Sequence, residues 1–285
     1  MLKKPLITII FGTRPEAIKF APLILKLRKE KFLRIRIILT GQHNEMVTQV
    51  LSLFKIKEDY NLEIMRENQT LTHITTKILD LLQFEFIQNR PDLVLVQGDT
   101  TSSMASCLAA FYAKIPVGHI EAGLRTNSLF NPFPEEANRR LISQLSTLHF
   151  APSKKAFDNL KESKISGKIF LTGNTVIDAL FHISKNSFKT YFNDIDWENN
   201  RVILVTVHRR ENWGINIKNI CHALMKILDN NSNVLLIIPL HKNKLISDPI
   251  KEILSKHPKV KLTDPLSYEK LVDIIKRSTL ILTDS

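Results

Sequence analysis

The chain has 285 residues, of which 44% are hydrophobic, and a formal net charge of +12. This length suits two domains, and 8 glycines and 12 prolines exclude a low-complexity or disordered chain. The positive charge supports polyanion binding only weakly, because lysines are spread along the chain and no basic run is interleaved with aromatic residues. We therefore expect a small anionic substrate and no nucleic-acid partner.

The cysteines and the N-terminal residues indicate in which cellular compartment the protein is found. Cys107 and Cys221 lie far apart in apolar helical patterns, which predicts buried thiols in a reducing environment and no metal site. The start has a basic tip, but Pro5 and Thr8 interrupt its short apolar stretch, unlike a signal peptide. No apolar run approaches the ~20 residues that a bilayer crossing needs. We expect a cytoplasmic protein without a membrane partner.

Short apolar or β-branched runs alternate with helical patterns over residues 1–185, the predicted first domain. Strands are predicted at 6–11, 35–40, 93–97, 117–120, 148–151 and 169–172. Helices are predicted at about 15–29, 44–54, 70–88, 101–113, 134–146, 153–162 and 174–185. Strands without polar alternation are typical of a sheet covered on both faces, and this order predicts a parallel sheet with crossover helices.

A polar stretch at 186–200 predicts a linker, and a second series of strands and helices follows at 201–285. Its strands are predicted at 202–207, 234–239, 260–262 and 280–283, and its helices at about 215–229, 244–256 and 267–277. The simplest architecture is an α/β fold of two Rossmann-like domains with a cleft between them.

The first strand is followed by a turn suited to phosphate. Gly12 allows a tight turn, Pro15 starts the next helix, and Arg14 and Lys19 supply positive charge near the helix N-terminus. The turn lacks a G-x-G-x-x-G fingerprint, which disfavours a dinucleotide. A contact with one phosphate or a diphosphate suits it better, and the alternative is a helix cap with solvated charges.

Carboxylates follow two further strands. Asp99 comes directly after the strand at 93–97, where it is a site residue or simply a helix cap. Glu121 lies just past the strand at 117–120, and the carboxyl ends of parallel strands are where ligands bind in open α/β sheets. Both positions therefore predict a carboxylate-bearing site.

The helix predicted from Pro134 carries paired charges. Glu135 and Arg139 are i,i+4 neighbours, as are Glu136 and Arg140. The helix can offer carboxylates for proton transfer and guanidinium groups for an anion. The alternative is a salt-bridged surface helix.

In the second domain, His208, Arg209, Arg210 and Glu211 follow the strand at 202–207. Arginines in a loop that faces the cleft favour diphosphate recognition, and the alternative is a solvated loop. His241 follows the next strand, but a lone histidine there is more often structural. Together the strand ends predict one basic, carboxylate-bearing cleft.

Seven strings resemble the motifs of the non-hydrolysing UDP-N-acetylglucosamine 2-epimerases, in order along essentially the whole chain. They are Gly12-Thr-Arg-Pro-Glu-Ala-Ile-Lys19, Thr40-Gly-Gln-His43, Gly98-Asp-Thr, Glu121-Ala-Gly-Leu-Arg125, Pro134-Glu-Glu-Ala-Asn-Arg139, Thr172-Gly-Asn-Thr175 and His208-Arg-Arg-Glu-Asn212. The resemblance implies a GT-B fold, a cytosolic homodimer and conversion of UDP-N-acetylglucosamine (UDP-GlcNAc) to UDP-N-acetylmannosamine (UDP-ManNAc) for surface polysaccharide synthesis. It also implies elimination and re-addition of UDP through a 2-acetamidoglucal, without a cofactor.

The resemblance also assigns roles to residues. Asp99, Glu121 and Glu135 are the acid/base candidates, and which of them works on which sugar face stays open. A further set of residues would hold or stabilise the departing UDP: Arg14, Lys19, Arg139, Ser285 and His208, the last also counted as catalytic.

A second UDP-GlcNAc binds beside the active site in activator-regulated bacterial members of this family. The positions that match those used there are Gln42, His43, Arg209, Glu211 and His241. However, Glu45 and Asn68 stand where some such members have Gln and Arg. Loss of an arginine weakens a diphosphate contact, so we do not expect this regulation to be intact.

Members of the family continue past the position of Ser285 with a Ser-Gly-Gly turn, a glutamate that grips the ribose, more sheet and a closing helix. We therefore expect an incomplete second domain and little or no epimerase activity from residues 1–285. The alternatives are an inactive or split remnant of such an epimerase and a GT-B glycosyltransferase that uses a UDP-sugar.

Overall fold

The computed structural model describes residues 4–41, 44–66, 69–186, 191–209, 212, 214–241 and 243–284. The chain divides into two compact units, Met1–Ala179 and Leu180–Ser285. The linker predicted at 186–200 and the cleft between the domains stay predictions.

The first unit is built on a parallel sheet. Its strands are β1 (Leu6–Phe11), β2 (Arg34–Leu39), β3 (Tyr60–Asn61), β4 (Leu93–Gln97), β5 (Val117–Ile120), β6 (Leu148–Ala151) and β7 (Lys168–Leu171). They form seven strands in the order β3-β2-β1-β4-β5-β6-β7. The helices are α1 (Arg14–Leu27), α2 (Asn44–Leu53), α3 (Leu71–Gln88), α4 (Thr101–Tyr112), α5 (Glu135–Leu145), α6 (Lys154–Glu162) and α7 (Thr175–Asn186), the last of which continues into the second unit.

The second unit repeats the pattern on a smaller scale. Its strands are β8 (Arg201–Thr206), β9 (Val234–Pro239), β10 (Val260–Thr263) and β11 (Leu280–Thr283). They form a parallel sheet in the order β10-β9-β8-β11. The helices are α8 (Ile215–Asn230), α9 (Lys244–Leu254) and α10 (Tyr268–Arg277). Both parallel sheets therefore agree with the alternating pattern in the sequence.

The apolar residues of the strands form the cores of the two units. The expected burial of every strand on both faces is not found at the ends of the sheets. Ile9 and Ile38, on the central strands β1 and β2, are fully buried. At the sheet ends, β7 exposes 55% of Leu171 and β11 exposes 50% of Leu280. Full burial was expected for all the strands and is wrong for these two and for β10, whose residues are only partly buried, because an outer strand has a neighbour on one side only.

Smaller differences concern the elements at 60–61 and 134. The two-residue strand β3 was not expected, since so short a run has no periodicity. The helix predicted from Pro134 begins one residue later, with Pro134 as the residue before its first turn. No helix within the described residues combines the length and apolar character that a membrane crossing requires.

Both cysteines are buried, as predicted, and neither is in a disulfide. Burial raises the pKa of the Cys107 thiol to about 12 and that of Cys221 to about 11, despite smaller lowering effects from hydrogen bonds. Because the thiolate is the reactive form, both side chains behave as inert core residues near neutral pH.

The strand order determines which turns are neighbours. Gln97 at the end of β4 lies in register with Ile120 at the end of β5, and the Gly98 N–H donates to the Ile120 carbonyl over 3.0 Å. Strand β1 flanks β4 on its other side. The turns after β1, β4 and β5 therefore lie side by side, which is where the sequence placed its charged candidates.

Candidate active site

A buried carboxylate joins the turn after β1 to the turn after β4. Glu16 is 1% exposed, and its Oε2 accepts from the backbone N–H groups of Gly12 (2.9 Å) and Thr13 (2.7 Å). Its Oε1 accepts from the hydroxyls of Thr100 (2.6 Å) and Ser103 (2.8 Å). Glu16 was not among the predicted site residues, although the spacing Thr13-x-x-Glu16 is a capping-box signal that could have identified it.

The two turns that Glu16 joins carry two of the predicted residues. Arg14 is the first residue of α1 and is partly exposed. Asp99 follows Gly98, whose φ of +71° lies in the left-handed region that glycine adopts readily. Thr100 is the N-cap of α4, accepting from the Ser103 N–H. The alternative that Asp99 is only a helix cap is therefore wrong.

Asp99 is instead tied to α5. Its Oδ2 accepts from the Arg139 Nε over 2.8 Å, and its backbone carbonyl accepts from the Asn138 side-chain amide over 2.9 Å. The Asp99 side chain is 28% exposed and that of Arg139 only 11%. This pair brings together two of the predicted site residues from different elements.

Glu121 receives three hydrogen bonds at the end of β5. Its Oε2 accepts from the Lys19 Nζ and the Gln97 Nε2, both at 2.5 Å, and its Oε1 accepts from the Asn174 Nδ2 at 2.8 Å. All three neighbours act as donors, and together they hold the carboxylate in one position at the strand end. The φ of Glu121 is +63°, a conformation that costs a non-glycine residue about 1–3 kcal/mol and that clusters at functional sites.

The glutamate that anchors the arginines of α5 is Glu136. It is fully buried and accepts from Arg139 Nη1 (2.9 Å), Arg140 Nε (2.8 Å) and the Thr126 N–H (3.0 Å). Burial acts to raise the Glu136 pKa, but these hydrogen bonds and the Arg139 charge together lower it below its ordinary value. The predicted pair of Glu136 with Arg140 is confirmed.

The other predicted pair on α5 is wrong. No ion pair between Glu135 and Arg139 occurs in the described structure, because Arg139 points its guanidinium to Asp99 and Glu136. The Glu135 Oε2 is buried, and no described residue hydrogen-bonds to it. The i,i+4 spacing allowed the contact but could not rank it against partners from other parts of the chain.

A buried histidine lies behind the Asp99 turn. His119 on β5 is fully buried, and its Nε2 is 2.7 Å from the Gly98 carbonyl, to which it donates in the neutral ring. Burial lowers the His119 pKa to about 3, partly offset by this hydrogen bond. His119 therefore stays neutral around pH 7 and supports the turn structurally.

In the second unit, the loop after β8 is organised by a carboxylate after β11. Asp284 accepts from the backbone N–H groups of His208 and Arg209 and from the Asn212 side chain. The predicted residue His208 therefore belongs to an ordered turn rather than to a freely solvated loop. Asp284 was not among the predicted site residues, since only the β8–β11 pairing brings it to this loop.

Of the positions predicted for a second nucleotide, two are described. Arg209 donates its backbone N–H to Asp284, and His241 accepts from the Asn243 N–H over 3.0 Å at Nδ1, forming a local turn. The remaining predicted residues Gln42, His43, Glu211 and Ser285 lie outside the described residues. The prediction about activator regulation therefore stays a prediction.

These features define the class of protein. Two units with parallel sheets, which carry ionisable side chains at the carboxyl ends of their strands, give an α/β fold of the GT-B-like class. The predicted α/β, GT-B-like fold class is confirmed, whereas the interdomain cleft and the incomplete second domain stay predictions.

Comparison with known proteins narrows the class to a family. The family model for UDP-N-acetylglucosamine 2-epimerase matches residues 25–285. The UDP-N-acetylglucosamine 2-epimerase of Neisseria meningitidis serogroup A is 48% identical over 284 residues, covering 97% of this chain and 76% of that protein. The Escherichia coli K12 enzyme of the same name is 44% identical over 286 residues, with 97% and 76% covered.

A solved structure agrees with this comparison. The crystal structure of UDP-GlcNAc 2-epimerase from Neisseria meningitidis bound to UDP-GlcNAc matches with a TM-score of 0.89 and 47% identity, covering 98% of this chain and 78% of that chain. The chain belongs to the UDP-N-acetylglucosamine 2-epimerase family. It spans about three quarters of the length of these relatives.

Proposed function

We propose that the protein interconverts UDP-GlcNAc and UDP-ManNAc, for use in surface polysaccharide synthesis. The observation that carries the proposal is the cluster at the ends of β4 and β5. There Glu121 is held by Lys19, Gln97 and Asn174 beside the pair of Asp99 with Arg139. Such a cluster offers carboxylates for proton transfer together with cations for a leaving diphosphate.

The chemistry explains why both kinds of group are needed. Carbon 2 of the sugar has no adjacent carbonyl, so its proton is poorly acidic. When the bond between carbon 1 and the diphosphate oxygen breaks, its electron pair leaves with UDP and carbon 1 becomes positive. A carboxylate then takes the carbon 2 proton, and the electrons of that C–H bond form the double bond of 2-acetamidoglucal.

The return step restores every bond. A carboxylic acid delivers a proton to carbon 2 on the opposite face, and the diphosphate oxygen adds back to carbon 1. We assign Glu121 to the base that accepts the first proton, because three donors hold its carboxylate in place at the carboxyl end of β5. We assign Glu135 to the opposite proton transfer, because its buried Oε2 has no partner among the described residues, as a carboxyl group awaiting a substrate would. Asp99 is the third acid/base candidate.

The cations of the site have complementary tasks. Arg139 couples Asp99, the third acid/base candidate, to the buried Glu136 and so places a positive charge at that end of the site. Arg14 lies at the start of α1, where the helix dipole also attracts an anion. In the second unit we assign His208 to stabilisation of the departing UDP.

The test is deuterium incorporation at carbon 2 of UDP-GlcNAc in heavy water, with high protein concentration, long incubation and no sugar acceptor. We expect deuterium in UDP-GlcNAc and UDP-ManNAc from the wild-type chain and a loss of at least about 100-fold in Glu121→Gln, the scale of general acid–base catalysis. Asp158→Asn removes an exposed carboxylate on α6 and is the matched control. Measurable wild-type incorporation that Glu121→Gln leaves undiminished would contradict the proposal.

This assay also measures the low activity expected of residues 1–285, which stays a prediction. Product formed without exchange at carbon 2 would contradict the elimination route. Sugar transfer that requires an added acceptor would instead support the glycosyltransferase alternative.

We also propose that the protein is a homodimer and that the second copy covers the outer side of α3 and α4. A groove of about 580 Å³ runs there, lined in part by Leu79, Phe86, Ile87 and Tyr112. Ile87 is 73% exposed and Tyr112 68%, a large apolar exposure for neighbouring helices. We expect Ile87→Glu to sediment as a monomer and Phe32→Glu, an exposed site on another part of the unit, to remain dimeric. A dimeric Ile87→Glu would contradict this interface.

A cytoplasmic location is part of the same proposal. Cys107 and Cys221 are both free thiols, the state that a reducing compartment maintains. We expect fractionated cells to retain the protein in the cytoplasmic fraction, and recovery outside that fraction would contradict the location.

A further inference from the structure

The loop after β8 converges on one carboxylate. Strand β11 pairs with β8 in a register that sets Thr283 opposite Thr206, and the Asp284 N–H donates to the Thr206 carbonyl over 3.3 Å. This register places the Asp284 side chain, which is 9% exposed, beneath the turn that begins at His208. The carboxylate is therefore positioned by the sheet and not by the loop itself.

Each described group that hydrogen-bonds to this carboxylate is a donor. The Oδ2 accepts from the N–H groups of His208 (3.0 Å) and Arg209 (2.9 Å) and from the Asn212 Nδ2 (2.8 Å). The Oδ1 lies 3.2 Å from the His208 Nδ1. Burial acts to raise the Asp284 pKa, but the hydrogen bonds together lower it, so the group is an ionised acceptor near neutral pH.

An ionised carboxylate repels a nitrogen lone pair and attracts an N–H group, so its oxygen 3.2 Å from the His208 Nδ1 favours the ring form with hydrogen on Nδ1. The Nε2 is then the ring nitrogen left for a ligand. No hydrogen bond joins it to a described residue, and the side chain is 47% exposed. In a ring whose Nδ1 is already committed, any further proton enters and leaves at Nε2.

We propose that Asp284 is a positioning residue that fixes His208 in the Nδ1–H form and presents its Nε2 to the diphosphate of the substrate. The assignment of the ligand rests on the proposed function, whereas the tautomer does not. Asp284 acts through His208 and does not itself touch the reacting atoms. When Nε2 takes up a proton, the Asp284 carboxylate lies against the resulting imidazolium. The Nε2–H group can then donate a hydrogen bond to an oxygen of the departing phosphate.

The tautomer can be measured directly on the nucleotide-free chain. Nitrogen-15 spectra of the histidine side chains distinguish a ring nitrogen that bears hydrogen from one that does not, at a pH where the ring is neutral. The chain has 9 histidines, and the signals lost in His208→Asn identify this one. We expect the wild-type spectrum to show hydrogen on Nδ1, and hydrogen on Nε2 alone would overturn the proposal.

Three variants separate the direct contact from loop integrity. Asp284→Asn keeps the side-chain size but places a neutral amide against His208, so we expect the Nδ1–H form to lose its dominance. Asp264→Asn changes an exposed aspartate directly after β10 in the same sheet and should leave the tautomer unchanged. Asn212→Ala removes one loop hydrogen bond but keeps the contact between His208 and Asp284, and it should also leave the tautomer unchanged. An unaltered tautomer in Asp284→Asn would overturn the proposal.

Binding of UDP by calorimetry supplies the second measurement. We expect Asp284→Asn and His208→Asn each to weaken UDP binding by about tenfold, the usual scale for a hydrogen bond to a charged group. The double variant should bind about as well as His208→Asn, because Asp284 acts through His208. Additive losses would contradict this coupling. Failure of the epimerase proposal would instead appear as carbon 2 exchange that Glu121→Gln leaves undiminished, in a wild-type chain that has the expected tautomer.

Discussion

The charged strand ends of the seven-stranded sheet differ from those of the four-stranded sheet in what their carboxylates hold together. In the first unit, Glu16 connects the turns after β1 and β4. Glu121 connects residues of α1, of β4 and of the turn just before α7. Glu136 connects α5 to the segment before it. In the second unit, Asp284 serves a single loop, and the His208 side chain it holds is 47% exposed.

This difference teaches how the two sheets build a charged site. Glu16 and Glu136, which each join several parts of the first unit, are at most 1% exposed, and each partner compensates part of the lost hydration. A carboxylate that organises one surface loop leaves that loop's side chains in contact with solvent. The effect of removing a charge should therefore follow its burial and the number of its partners, which can be tested from the largest effect to the smallest.

The largest effect on stability is expected at Glu136. Glu136→Gln leaves two guanidinium groups facing a neutral amide in a fully buried position, and removing one partner of a buried ion pair costs about 3–5 kcal/mol. Urea denaturation of the purified chain measures this loss. If the free energy of unfolding decreased by less than about 1 kcal/mol, the proposed link between the burial of a charge and the loss of stability on its removal would be contradicted.

An intermediate effect depends on pH and concerns the buried His119. Below the ordinary histidine pKa of 6.5, the unfolded chain binds a proton at position 119 that the folded chain, with its pKa of about 3, does not. The free energy of unfolding therefore decreases as the pH falls from 6.5 toward 3 and is insensitive to this group above about pH 7.5. Well below pH 6.5 this contribution amounts to about 1.4 kcal/mol for each pH unit.

His119→Gln keeps a side-chain amide that can donate to the Gly98 carbonyl but cannot titrate. We expect its stability to fall less steeply between pH 7 and pH 5 than that of the wild type. Equal slopes for His119→Gln and the wild type would argue against a neutral buried His119.

The smallest effect is expected at an exposed pair on α6. Lys154 and Asp158 are 2.8 Å apart, with side chains 71% and 45% exposed. Such i,i+4 pairs contribute about 0.3–0.5 kcal/mol, so Asp158→Asn should change the free energy of unfolding by no more than that. Salt should reduce this difference further, whereas it should leave most of the Glu136→Gln loss in place. A loss at Asp158 comparable with that at Glu136 would remove the distinction between the two kinds of site.

The sequence was sufficient to predict the parallel sheets and to identify the strand ends that carry charged residues. Apolar runs predicted the strands, and the rule that ligands lie at their carboxyl ends singled out Asp99 and Glu121. The sequence was insufficient to predict which residues hydrogen-bond to Asp99 and Glu121. Gln97 and Asn174 converge on Glu121 from distant positions, and local spacing carries no information on such contacts. The same limitation explains the wrong pair of Glu135 with Arg139, since a helical spacing shows what can meet and not what competes.

The carboxylate of Glu16 has a consequence for movement. Because it is hydrogen-bonded to the backbone after β1 and to side chains at the start of α4, neither turn can shift without breaking bonds to the other. The two turns should therefore open as one cooperative unit. Hydrogen exchange at the Thr13 and Ser103 amides should then report the same free energy of opening. A ligand that pulled on Arg14 would in this way also displace the backbone that carries Asp99.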